Sequence, residues 1–365
     1  MQFIDLEAQQ KKIISKIKEN VEKVYSHGKF IMGPEVIELE KKLSKFTGSK
    51  FCISVSSGTD ALLVAMMALG IGNDDEIITT PFTWISASEM ASLLGAKSVF
   101  VDIDPETYNI DAKKIEEKIT KKTKLIIATS IFGQCPEIDE INTIAKKYSI
   151  PVIEDAAQSL GATYKGKKSC NLTLIGCTSF FPSKPLGCYG DGGACFTNDQ
   201  ELYEKISELR LHGQSKGTRY KHNRIGINGR LDTIQAAILL AKLEIFENEL
   251  KSRSEIGNKY TKLIQEKSSE IKTPRVLNQN TSVYAQYTVQ LENRDQVAEK
   301  LKAKEIPTAK YYPVPLNQLS LFKSKEKLPV VDKVSKKVLS LPIHPYLEDK
   351  DQKRVAEELI NAIKN

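Results

Sequence analysis

Short apolar runs punctuate the chain at residues 51–55, 76–79, 98–101, 124–129, 151–154 and 194–197. Each is too short for a helix and apolar on successive positions rather than alternate ones, which predicts strands buried on both faces. Between them, residues 58–70, 87–94, 111–119 and 137–148 carry apolar positions three and four apart, the spacing of amphipathic helices. Strand and helix in alternation predict an α/β fold with a mostly parallel sheet. From Thr233 the run Ile-Gln-Ala-Ala-Ile-Leu-Leu-Ala-Lys-Leu-Glu-Ile-Phe reads as the start of a long helix. Beyond it the pattern predicts a strand over 284–291 and helices over 294–304 and 349–364. The boundary falls near residue 246, giving a large domain over 1–246 and a smaller C-terminal α+β domain over 247–365.

Composition narrows the class without deciding the activity. With 365 residues, 41% hydrophobic and 27% charged, the chain can bury a sizeable core. The net charge of +7 is spread over mixed runs such as 111–118, the pattern of a solvated helix face. No basic patch with a nucleic-acid reading module accompanies it. A mild positive balance would still favour approach of an acidic, diphosphate-linked substrate. No membrane span is visible, and the first residues lack a basic region followed by an apolar stretch, so the cytoplasm is the expected location. The six cysteines, at 52, 135, 170, 177, 188 and 195, show no CxxC pair and no metal spacing with histidine. Reduced thiols, and no metal, are expected. Cys188, four residues from Lys184, is expected to pack as a small residue rather than react.

Candidate chemistry gathers at three places. In Thr178-Ser-Phe-Phe-Pro-Ser-Lys184-Pro-Leu-Gly-Cys-Tyr-Gly-Asp-Gly-Gly193 one lysine stands among small residues after an apolar stretch. A lysine amine becomes a covalent catalyst where its surroundings lower its pKa and hold it near a carbonyl. About thirty residues earlier, Val152-Ile-Glu-Asp155 is a short apolar strand ending in acid, with Gln158 three residues on. Open α/β sheets bind ligands at the carboxyl ends of their strands, so Asp155 is a candidate to hold a pyridinium proton. Upstream, Ser56-Ser-Gly58-Thr59 opens a helix whose first amides, with the Thr59 hydroxyl, could hold a phosphate; an ordinary helix cap by Ser57 or Thr59 is the alternative. No Gly-Lys-Ser/Thr follows, which excludes Walker A, and the glycines of 187–193 have the wrong spacing for a Rossmann fingerprint.

Ordered motifs then carry a family resemblance along essentially the whole chain: Phe3-Ile-Asp-Leu6, Gly33-Pro-Glu-Val36, Ser57-Gly-Thr-Asp-Ala61, Val101-Asp-Ile-Asp104, Glu154-Asp-Ala-Ala-Gln158, Ser179-Phe-Phe-Pro-Ser-Lys184 and Asn228-Gly-Arg-Leu-Asp232. The chain resembles pyridoxal-phosphate-dependent nucleotide-sugar aminotransferases of the DegT/DnrJ/StrS type, which have the aspartate aminotransferase-like fold (fold type I). The resemblance implies that Lys184 links covalently to pyridoxal 5'-phosphate and shuttles a proton. It implies that Asp155 pairs with the ring nitrogen, that Gln158 approaches the ring hydroxyl, and that Gly58, Thr59 and Ser179 hold the phosphate. Asn228 would join them from the second subunit of a homodimer. Trp84 stands where the family stacks an aromatic ring on the cofactor, although core packing is open to the chain's only Trp. Arg230, reaching the partner's site together with Asn228, is expected to face the sugar, with pairing to Asp232 or a Glu as the alternative. Tyr311 and Tyr312 fall near the expected sugar site, where Tyr311 replaces a histidine of many relatives.

The runs 179–193, 282–288 and 341–346 are most similar to enzymes that aminate a UDP-linked 3-keto-N-acetylglucosaminuronic acid for surface polysaccharide synthesis, with L-glutamate as the implied amino donor. Other UDP- or dTDP-linked 3-keto or 4-keto sugars are the alternative substrates. A sugar dehydratase is disfavoured because the lysine is present and no iron–sulfur cysteine pattern exists. A non-catalytic regulator of the same fold is the rival of a different class.

Overall fold

The computed structural model describes residues 1–364 apart from Lys216, Arg219, Lys323 and Lys325. Among the described residues the strands are β1 (Phe51–Val55), β2 (Glu76–Thr79), β3 (Lys97–Phe100), β4 (Thr123–Thr129), β5 (Val152–Asp155), β6 (Thr163–Tyr164), β7 (Lys167–Lys168), β8 (Ile175–Ser179), β9 (Gly193–Thr197), β10 (Tyr287–Gln290) and β11 (Val338–Leu341). A seven-stranded sheet runs in the order β1-β9-β8-β5-β4-β2-β3. Every pairing in it is parallel except those of β9 with β1 and β8.

Register explains where a site can form. Because β9 is antiparallel to both neighbours, β1 and β8 point the same way, and Val55 and Ser179 both lie opposite Gly193. Asp155 at the end of β5 is level with Cys177 of β8 and with Thr129 of β4. The loops after β1, β8, β5 and β4 therefore leave the sheet along one edge, the carboxyl edge where such sheets take ligands.

The helices are α1 (Leu6–His27), α2 (Pro34–Thr47), α3 (Gly58–Ala68), α4 (Ser86–Leu93), α5 (Ile138–Lys147), α6 (Gln200–Leu209), α7 (Thr233–Gln265), α8 (Arg294–Ala303), α9 (Pro329–Val334) and α10 (Asp349–Lys364). One core joins the sheet to α3, α4 and α6 through Val64, Ala91, Ile127, Ile153 and Ile206. A second core contains Val36, Leu39, Phe180, Phe196 and Leu239 from α2, the sheet region and α7. α1 packs Ile13 and Ile17 on Ile238 and Ala241 of α7. A separate cluster around Tyr260, Tyr287, Leu301, Leu341 and Leu359 unites the far half of α7 with β10, β11, α8 and α10. The helix α7 passes unbroken through residue 246. Among the described residues no helix is long and apolar enough to cross a membrane.

Two segments differ from the pattern-based expectation. Residues 111–119 form two 3₁₀ turns, Ala112–Lys114 and Glu116–Lys118, instead of an α-helix. Ala112 and Ile115 are its buried anchors, and a three-residue spacing suits three residues per turn. The strand expected over 284–291 contracts to β10, because Tyr284 has φ +43° and lies against Gly257, where a Cβ would come within 2.5 Å of its ring. The expected thiol chemistry can be read from position: all six cysteines are buried and free.

Candidate active site

The candidate phosphate residues are assembled by β1, α3 and β8. Ser57 caps α3, its side chain accepting the Asp60 N–H at 3.0 Å, while the Ser56 and Ser57 hydroxyls donate to the Asp60 carboxylate. The cap and the anion site are thus parts of one turn, since capping leaves other first-turn amides of α3 without helical partners. Gly58 is required by close approach. A Cβ there would lie 2.6 Å from Ser179 Cβ and 3.1 Å from its Oγ. Thr59 Oγ1 is hydrogen-bonded to Ser86 Oγ at 2.9 Å, which ties the turn to α4. Gly58, Thr59 and Ser179 are therefore brought together as the motifs predicted.

Lys184 closes a tight turn after β8, its N–H donating to the Phe181 carbonyl at 2.8 Å. Burial pushes its amine below the ordinary lysine range, with the Asp155 carboxylate acting in the opposite direction. Asp155 is 8% exposed, and burial raises its carboxyl against the Ala157 N–H and the Lys184 charge. Among the described residues its hydrogen-bond donor is that Ala157 N–H, at 3.2 Å. A buried carboxylate with so little compensation has capacity for a further donor.

Gln158 stands beside Asp155 and is 5% exposed. Its Oε1 accepts the Phe132 N–H at 2.8 Å and its Nε2 donates to the Tyr312 hydroxyl at 3.2 Å. Tyr312 packs edge-on against Phe82, and Phe82 against Phe132, with centroids 6.1 and 6.0 Å apart. Tyr311 is half-buried, its ring 6.4 Å from that of Phe3. Phe132, held at φ +57°, escaped the sequence reading. The only signal was the glycine that follows it in Ser130-Ile-Phe-Gly133.

The remaining expectations have mixed outcomes. Trp84 is 64% exposed, so core packing is excluded and its indole is free to meet a ligand. Arg230 is partly buried and its Nε has no hydrogen-bond partner, with no ion pair to Asp232 among the described residues. Asn228 is exposed. The chain between them runs beside the phosphate turn, the Ser56 N–H donating to the Gly229 carbonyl at 3.0 Å. Cys188 is fully buried, donates to the Phe180 and Gly190 carbonyls, and is pushed up to about 11 by burial, which makes it a packing residue.

A helix start packed on Ser179, a partly buried lysine and a buried carboxylate with a free acceptor are groups that could take the phosphate, carbonyl and ring nitrogen of pyridoxal phosphate. On a sheet of this order they are the groups that a pyridoxal-phosphate-dependent aminotransferase needs. The chain belongs to the DegT/DnrJ/EryC1/StrS aminotransferase family, which it matches over residues 11–360. It is 54% identical over 362 residues to the UDP-2-acetamido-2-deoxy-3-oxo-D-glucuronate aminotransferase of Pseudomonas aeruginosa, covering 99% of this chain and all of that one. A Geobacillus stearothermophilus protein described as a pleiotropic regulatory protein is 39% identical, over 98% of this chain and 97% of its own. The solved structure of S. venezuelae DesV in complex with a ketimine intermediate superposes with a TM-score of 0.96 at 30% identity, covering all of this chain and 98% of that one.

Proposed function

We propose that the protein transfers the amino group of L-glutamate to the 3-keto group of a UDP-linked N-acetylglucosaminuronic acid, in surface polysaccharide synthesis. The observation that carries the chemistry is a partly buried Lys184 on the loop after Ser179, whose charge interacts with that of the buried Asp155, next to the close approach of Gly58 and Ser179. The substrate reading is supported by the 54% identity to the Pseudomonas aeruginosa enzyme along the full chain.

Pyridoxal phosphate, when bound, supplies an electron-withdrawing ring that stabilises negative charge on the substrate carbon. Lys184 would hold the cofactor and, once free, take a proton from that carbon and return it elsewhere, and burial acts in the direction that favours its neutral amine. Asp155 would keep the ring nitrogen protonated, and Gln158 would approach the ring oxygen. Thr59, Ser179 and the amides at Gly58 would take the phosphate, with Asn228 of a second copy completing it in a homodimer. Trp84 would cover one face of the ring. Arg230 would offer its unpartnered guanidinium to the sugar carboxylate, with Tyr311 and Tyr312 lining the sugar side. The division into 1–246 and 247–365 and a cytoplasmic location belong to the same proposal.

Second half-reaction rates with UDP-linked 3-keto uronic acid and with dTDP-linked 4-keto sugars test it. Faster reaction with the uronic acid is expected. Arg230→Ala should raise the KM for that sugar about ten-fold or more, the loss of a charged hydrogen bond, and leave the KM for L-glutamate unchanged. Equal effects on both substrates would contradict the assignment of Arg230.

A further inference from the structure

The hydrogen-bond direction around Gln158 fixes the role of the Tyr312 hydroxyl. A backbone N–H can only donate, so the Phe132 N–H, 2.8 Å away, identifies the atom it meets as the Gln158 oxygen. The amide nitrogen must then be the atom 3.2 Å from the Tyr312 hydroxyl, and that hydroxyl must accept. Tyr312 keeps its own proton, because burial and the nearby Asp155 push its phenol well above the ordinary tyrosine range. Among the described residues nothing accepts that proton. The ring cannot turn away, being held edge-on by Phe82 and flanked by Tyr311.

We infer that the Tyr312 hydroxyl, oriented by Gln158 as the positioning residue, donates a hydrogen bond to the ring oxygen of the bound cofactor. This rests on the reading that places Gln158 at that oxygen. The chain of donors runs from the Phe132 N–H to Gln158, from Gln158 to Tyr312, and from Tyr312 outward. Each link leaves the next group better able to donate. The titratable groups facing Tyr312 are Asp155 from β5 and Tyr311 from its own segment. A donor at the ring oxygen favours its anionic form, and so lowers the pH at which the cofactor bound through Lys184 loses its shared proton.

The test is a pH titration of the visible absorption of the holoenzyme, for wild type, Tyr312→Phe, Gln158→Leu and the double variant. Tyr312→Phe keeps every ring contact and should fold and bind pyridoxal phosphate. Its titration midpoint should move upward by about one pH unit, a ten-fold change in the proton equilibrium. The double variant should shift by less than the sum of the two single variants, because the two side chains act through one chain. A Tyr312→Phe titration that superposes on wild type, with only the sugar KM raised, would overturn the inference and make Tyr312 a sugar contact alone. A Tyr312→Phe midpoint that moves while the two single shifts add would overturn the role of Gln158 in it. A wild-type protein that takes up no pyridoxal phosphate would remove the cofactor reading itself.

Discussion

Lys184 and Asp155 are each displaced toward neutrality by burial, and each opposes the displacement of the other. The pair holds two ionisable groups where water solvates them poorly, an arrangement that costs stability and prepares a site. The cost has a sign that pH exposes. The folded-state pKa of Asp155 is raised above 3.8, so the native state binds the proton more tightly than the unfolded chain. Stability contributed by the protonated form is present below the ordinary carboxylate range and is lost as pH rises through the raised value. Asp155→Asn, which keeps an oxygen for the Ala157 N–H, should therefore stabilise the cofactor-free protein at pH 8. At pH 4 the gain should be smaller. Thermal melting of the two apo proteins at both values checks this, and a lower melting temperature for the variant at pH 8 would contradict it. At this scale the sequence points to Lys184, Asp155 and Gln158 because their side chains carry the groups such chemistry needs. It was silent on Phe132, which acts through a backbone N–H that any residue possesses.

At the scale of elements, the site is a product of register. Ser179 meets the turn after β1 because β9 lies between β1 and β8 with Gly193 level with both Val55 and Ser179. Gly193 has its own close neighbour, since a Cβ there would sit 2.4 Å from the Ser57 carbonyl. Gly58→Ala would drive a methyl group into Ser179, and neither partner is the flexible end of a long side chain. Overpacking of this kind costs about 1–3 kcal/mol, and here it also displaces the phosphate donors. Affinity for pyridoxal phosphate should fall at least ten-fold by equilibrium titration, a larger loss than Gly28→Ala produces. That control position is strained by φ +66° but has open space around it. Equal cofactor affinity in Gly58→Ala and wild type would contradict the cradle. The strands of the parallel region were legible because burial on both faces makes them continuously apolar. β8 was not, because Ile175-Gly-Cys-Thr-Ser179 gives up bulk to let the Cys170 backbone approach Gly176, where a Cβ would meet it at 2.4 Å. The 3₁₀ turns of 112–118 were misread because an apolar spacing of three belongs to both helix types over so short a span.

For the whole molecule, the separate clusters around α3 and around Tyr260 explain why the alternation of elements is clear in the first part of the chain and weak in the last. The parallel sheet imposes its pattern on every strand it contains. The C-terminal cluster buries the two short strands β10 and β11 among helices, so each leaves only a four-residue trace. The site draws on both parts, since Gln158 reaches Tyr312 across 154 positions of sequence. Such a contact leaves no local signature in the sequence.

In the proposed reaction Lys184 holds pyridoxal phosphate and uses it to accept nitrogen from L-glutamate. The most direct measurement is the visible absorption spectrum of the purified protein and of Lys184→Ala, each loaded with pyridoxal phosphate, before and after addition of L-glutamate. The wild type should show a band of lysine-bound cofactor that L-glutamate converts to the pyridoxamine form. Lys184→Ala should lack that band while melting as a folded protein. The same band and the same conversion in Lys184→Ala, or no band in either protein, would contradict the account.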